Sequence, residues 1–367
     1  MNVLGVRAPG EPWIFQDDEP PLLEGGVRVE TLYSGVSAGT ELTFVKGDNP
    51  ALTGGWDPEL GLFGDGQAGA GYPVHKLGYM EVGRVTESRT AAFSPGTLVA
   101  MTYGHRSAHV ADSLAERIVP LPDDLDPLLG IYAAHMGPIC ANGVLHAAAE
   151  VGGRRLADGV EGLTVLVTGA GVVGLLVALF AAHHGAAEVA VVDVTPERLA
   201  AARALGFWAI DEREHAPWEL LKRRWRHGVG DRGADVAFQC RGRPAALAGA
   251  LRCLRPQATV IDLAFYTTGA EDLRLGEEFH HNGLGVRCAQ IGRVPRRLAH
   301  LWDRERLSRE TIDLLRARGA DIREHLITDV VPAEQGPQLL LDLAQRRRHV
   351  IQAVLAYPPA GWPPRKA

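Results

Sequence analysis

Little in this sequence points to a membrane, a nucleic acid or a disulfide framework. The longest apolar stretch, inside the segment that follows Gly174, falls well short of the roughly 20 residues a membrane span needs, so no membrane partner is expected. Cations are not in excess: 38 Lys and Arg stand against 44 Asp and Glu, for a net charge of −6. That balance argues against a nucleic-acid partner, whose phosphates are held mainly by clustered cations. The two short basic runs, at Arg223, Arg224 and Arg226 and at Arg346, Arg347 and Arg348, lie beside expected helix or strand ends and read as solvated faces. Cys140, Cys240, Cys253 and Cys288 are scattered with no CxxC pair, and nothing at the N-terminus resembles an export signal. Reduced thiols in a cytoplasmic protein are therefore expected. Repeats and low-complexity tracts are also missing.

What the chain does have is length, apolar content and glycine: 367 residues, 46% hydrophobic, with 43 Gly. That is enough to bury two cores and too long for one compact domain. Among those glycines, Gly-x-Gly-x-x-Gly is a weak signal alone. Here the order around it strengthens the reading. Leu163 to Thr168 reads as a buried parallel strand, Gly169-Ala170-Gly171-Val172-Val173-Gly174 as a turn opening a helix, and Glu188 to Asp193 as the next strand. In this arrangement Gly169 makes the tight turn, Gly171 lets the backbone approach a pyrophosphate, and Gly174 lets the helix pack on the strand. The helix start at Val172 and Val173 offers free N–H groups to phosphate. Asp193, 19 positions after Gly174, has the spacing of the acid that binds adenosine ribose hydroxyls. It would repel a 2′-phosphate, so NAD(H) is expected over NADP(H). Arg198 is a candidate for the adenosine side.

Beyond this stretch, strands and helices alternate: a helix over Pro196 to Leu205, a strand over Gly233 to Cys240, a helix over Ala245 to Leu254, a strand over Ala258 to Ala264, and one more near Gly285 to Ile291. This alternation calls for an α/β doubly wound parallel sheet. The first 136 residues instead show short alternating runs broken by Gly and Pro, the texture of a twisted β-rich domain. His349 to Leu355 reads as a strand that returns to it.

This order of parts resembles the medium-chain dehydrogenase/reductase superfamily over nearly the whole chain. The marks are Ser34-Gly-Val-Ser-Ala-Gly-Thr-Glu, Gly78-Tyr-Met-Glu-Val-Gly-Arg-Val, the glycine motif with Asp193, and Gly233-Ala-Asp-Val-Ala-Phe-Gln-Cys-Arg-Gly. The first two of these, together with Glu278-Phe-His-His-Asn and Gln290-Ile-Gly-Arg-Val-Pro, look most like the branch of bacteriochlorophyllide hydroxyethyl dehydrogenases and related predicted alcohol dehydrogenases. The resemblance implies a Rossmann domain, residues 137–289, inserted in a GroES-like domain, residues 1–136 plus 290–367. It also implies a homodimer built through edge strands of the nucleotide domain. Zinc members carry a cysteine, a histidine and a glutamate in the first two motifs. Here Ser37 or Ala38 stands for the cysteine, Tyr79 for the histidine and Met80 for the glutamate, so no zinc is expected. The pairs His183-His184 and His280-His281 leave room for an unrelated metal.

Without zinc, hydride exchange between a secondary alcohol and a ketone needs positioned hydrogen-bonding groups at the substrate oxygen. Tyr79 leads the candidates, with Ser37 and Thr40 from the other ligand loop and His135 as a base beside the nicotinamide. His105, His109, His280 and His281 follow. The long loop from Gly47 to His75, with Trp56, Phe63 and Tyr72, is a candidate lid. A small-molecule substrate is expected at the carboxyl ends of the strands, in the cleft between the domains. Two other functions fit the same motifs: a quinone or enoyl reductase using NADPH, and a nucleotide-binding redox sensor or interaction subunit without turnover.

Overall fold

The computed structural model describes residues 1–64, 69, 71–267 and 269–358. Part of the candidate lid, residues 65–68 and 70, lies outside the described residues. The chain divides into two compact units: Met1–His135 with the segment from Ile327 onward, and Met136–Leu326. No helix among the described residues is long and apolar enough to cross a membrane.

The second unit is a parallel sheet of six strands, labelled here β1 (Thr164–Thr168), β2 (Glu188–Asp193), β3 (Trp208–Asp211), β4 (Ala234–Gln239), β5 (Leu254–Asp262) and β6 (Gly285–Cys288). They lie in the order β3-β2-β1-β4-β5-β6, every pair parallel. This is the doubly wound order, with its switch point between β1 and β4, where a dinucleotide-binding crevice forms. Thr168, Gln239 and Asp262, the last residues of β1, β4 and β5, stand in register along the carboxyl edge.

Helices complete the layers. The one over Val172–His183 is buried on all sides from Gly174 to Ala181, which explains why its sequence has no polar stripe. The helix Arg304–His325 is amphipathic. Asp303 caps it by accepting from the Arg306 amide at 2.7 Å, and Leu307, Thr311, Leu314, Leu315 and Ile322 form its buried face. It packs against the helices Met136–Glu150 and Val172–His183. The sequence reading had assigned everything after 290 to the first unit. This helix belongs to the second unit, so the return begins at Ile327.

In the first unit, seven strands form one sheet. Gly26–Gly35 is central, pairing with Glu81–Ser88, Ala108–Asp112 and Gln352–Ala356. The last of these is the expected C-terminal return, set antiparallel with Val354 opposite Gly35. Val27, Val29, Val85, Val99 and Met101 form one core on this sheet. A second joins Leu4, Val6, Val36, Leu42, Val45, Leu339 and Leu340. The helix Ala38–Lys46 follows directly on the central strand. The strand Glu81–Ser88 follows the Gly78-Tyr-Met segment, so both quoted motifs meet at one end of the sheet.

Candidate active site

At the glycine turn each glycine has its own reason. Gly169 has φ +100°, a left-handed conformation that favours glycine. A Cβ at Gly174 would fall 1.7 Å from the Gly169 carbonyl oxygen, so that position admits no side chain. A Cβ at Gly171 would meet nothing nearer than Arg198 Nη1 at 4.0 Å. The protein does not fill this space, as expected where a pyrophosphate approaches. The helix starts at Gly171 without a side-chain cap, leaving the first-turn amides of Val172, Val173 and Gly174 without intrahelical carbonyls.

Asp193 ends β2 with only 2% of its surface exposed. Its carboxylate accepts from the amides of Ala170 at 2.7 Å, Val194 at 2.7 Å and Thr195 at 2.8 Å. Burial alone would raise its pKa. The amides of Ala170, Thr195 and Val194, with the Arg198 cation, outweigh burial and hold it below the usual carboxylate range. A carboxylate offers about four lone-pair sites, so three amides leave one for a ligand hydroxyl. Arg198 lies near both Asp193, on which its cation acts, and Gly171.

In the first unit, three of the four residues singled out for the substrate oxygen meet. The Tyr79 hydroxyl and Ser37 Oγ share a short hydrogen bond. The Tyr79 ring sits edge-on to His135, with centroids 4.6 Å apart. Thr40 is one turn into the helix Ala38–Lys46, and among the described residues no hydrogen bond joins its hydroxyl to this group. Its backbone is what the fold uses, the Thr40 carbonyl accepting from Thr43 Oγ1 at 2.5 Å.

Beneath Tyr79 and Ser37 lies a buried cluster that the sequence reading missed. His105 Nε2 is 2.8 Å from Glu41 Oε2, and its Nδ1 is 2.5 Å from Ser34 Oγ. Ser34 donates its one hydroxyl proton to Glu81 Oε1 at 3.0 Å. One hydroxyl thus bridges the His105 ring and the Glu81 carboxyl. Burial pushes the His105 pKa down, yet Glu41 and Glu81 outweigh it and the net shift is upward. Burial also raises Glu81, against the pull of His105, the Gly104 amide and Ser34. Among the described residues Glu81 Oε2 itself accepts no hydrogen bond. Glu41 closes the arrangement through Oε1, which accepts from the Ser37 amide at 2.7 Å. Gly78, at φ +88°, passes so close to His105 that a Cβ there would fall 2.7 Å from the ring. His105 thus fastens three segments together and is no free base.

The other histidines are placed differently. His109 stacks on Tyr103 and pairs with Glu116 at 2.8 Å, a structural role. His280 and His281 are exposed on a three-residue helix, and His183 is exposed as well. Among the described residues no group of three His, Cys, Asp or Glu is arranged to hold a metal. At the motif positions themselves the donors are the hydroxyl of Ser37, the phenol of Tyr79 and the fully buried thioether of Met80. That set does not fit zinc, which takes thiolate, imidazole and carboxylate.

Comparison with known proteins places the chain among dehydrogenases whose family model is zinc-binding. Residues 172–303 match the family model described as zinc-binding dehydrogenase. The matched span lies wholly in the second unit, whereas Ser37, Tyr79 and Met80 lie in the first. The D-guloside 3-dehydrogenase of Shigella flexneri is 25% identical over 92% of this chain and 94% of its own. Galactitol-1-phosphate dehydrogenase from Escherichia coli has the same fold, with a TM-score of 0.74 at 19% identity, covering 97% of this chain and 100% of that one. A zinc-binding dehydrogenase from Sinorhizobium meliloti 1021, solved bound to NADP, has a TM-score of 0.73 at 18% identity over 97% and 98% of the two chains.

Proposed function

We propose that this chain, a member of the medium-chain dehydrogenase/reductase superfamily and an oxidoreductase, interconverts a small secondary alcohol and its ketone with NAD(H) and without zinc. The observation that carries the reading is the pairing of Tyr79 and Ser37 where zinc members place metal ligands. Bound at the Gly169–Gly174 turn, the nicotinamide coenzyme supplies the hydride acceptor or donor. The chain's own residues do the rest. Tyr79 donates its one hydroxyl proton to the substrate oxygen while accepting from the Ser37 hydroxyl, and the His135 ring edge fixes the phenol's orientation. Glu41 and His105 hold the Ser37 loop in place from below.

Asp193 supports NAD(H) over NADP(H), since its ionised carboxylate has one lone-pair site open to a ribose hydroxyl and repels a 2′-phosphate. Arg198 serves the adenosine side. A homodimer belongs to the same reading, supported by the exposed edge strand Gly285–Cys288, whose Val286 is 44% exposed. Steady-state turnover with a panel of secondary alcohols and polyols tests the reading. NAD+-dependent oxidation of at least one substrate is expected, and no turnover with any substrate while NADH still binds would refute it.

A further inference from the structure

The carboxyl edge of the sheet carries a polar chain of hydrogen bonds that the oxygen chemistry above does not use. Thr168 donates to Gln239 Oε1. Gln239 Nε2 donates to the Tyr266 hydroxyl at 3.2 Å, and Tyr266 donates to Asp262 Oδ2 at 3.0 Å. Each donor is committed, so the chain has one direction and ends on Asp262. The Ala264 amide donates to Asp262 Oδ1 at 2.9 Å. Two lone-pair sites of the carboxyl remain open. Asp262 is only 8% exposed, and among the described residues no lysine or arginine forms an ion pair with it. A buried carboxyl without a cation is costly, and burial accordingly raises its pKa despite Ala264 and Tyr266.

A cation from outside the protein would relieve that cost. In a sheet of this order the two halves of a dinucleotide lie on opposite sides of the switch point. Asp193 at the end of β2 marks the adenosine side, which leaves the ends of β4 and β5, and hence Asp262, to the nicotinamide side. We infer that Asp262 is the counter-charge of the oxidised nicotinamide ring, so that this chain favours NAD+ over NADH. The ring is cationic in NAD+ and neutral in NADH, so a carboxylate on its side of the sheet acts on the first alone. Asp262 is a specificity-determining residue here, with Tyr266 positioning it.

The inference rests on the proposed nucleotide site, and one experiment separates the two. Dissociation constants for NAD+ and NADH are measured by calorimetry on the wild type, Asp262→Asn and Tyr266→Phe. Asp262→Asn is expected to weaken NAD+ on the order of tenfold, about 1.4 kcal/mol, and to leave NADH unchanged. Tyr266→Phe shifts the ratio the same way by less. Equal weakening of both coenzymes, or an unaltered ratio, overturns the role of Asp262 while the nucleotide site stands. If Asp262→Asn does not fold, Tyr266→Phe decides by the same ratio. A wild type that binds neither coenzyme ends both readings.

Discussion

Asp193 in the second unit and Glu81 in the first unit are both buried carboxyls, and they are accommodated in opposite ways. Asp193 takes three backbone amides from its own turn and from the glycine loop, and stays below the usual carboxylate range. Glu81 shares one histidine, His105, with Glu41, keeps one oxygen without a hydrogen-bond partner among the described residues, and is driven upward. A backbone cradle makes a local, repeatable anion site. A side-chain cluster ties distant segments together and depends on every member being present.

The largest expected effect follows from that dependence. His105→Ala leaves two carboxyls buried without their shared histidine, which should lower stability by about 3–5 kcal/mol. Asp193→Asn removes charge but not the surrounding amides, and should cost about 1–3 kcal/mol. Calorimetric melting of the two variants checks the order, and a smaller loss for His105→Ala would break the comparison. Next in size is Tyr79→Phe. Loss of the positioned hydroxyl should lower kcat by about 10²-fold or more, with NADH affinity retained. An unchanged kcat would remove Tyr79 from the chemistry.

Smaller again is Asp193→Ala, which should narrow the NADH-over-NADPH preference by roughly tenfold, about 1.4 kcal/mol. Equal wild-type affinities for the two coenzymes would already contradict the assignment of Asp193. The mildest effect concerns His184, held down to about 4 by burial and by neighbouring His183. Its folded pKa lies below the unperturbed value of about 6.5, so the stability it contributes is complete above that value and is lost as pH falls toward 4. His184→Phe, which keeps a ring against Phe180, should flatten that acid limb in a plot of Tm against pH. An unaltered limb would show that the loss arises elsewhere.

The second unit was legible because its signals are local. The strand ending at Thr168, the turn to Gly174 and the strand ending at Asp193 follow one another, and Asp193 reaches back only 23 positions to Ala170. The four-residue strand Trp208–Asp211 was too short to register, and the buried face of Arg304–His325 was overlooked under its many charges. In the first unit the replaced ligands could be read from the motifs, and Tyr79 and Ser37 do meet. Their support could not be read. Glu41 and Glu81 were in plain view within the quoted motifs, but their partner His105 lies 64 positions from Glu41 and 71 from Ser34. Only the folded sheet brings these segments together, and no periodicity records such a meeting.

In the proposed reaction ordinary side chains, with no bound cation, handle the substrate oxygen. Metal content measured by mass spectrometry on protein that is turning over tests it most directly. Full turnover with far less than one zinc per chain is the predicted result. One tightly held zinc per chain, lost together with activity on chelation, would contradict it.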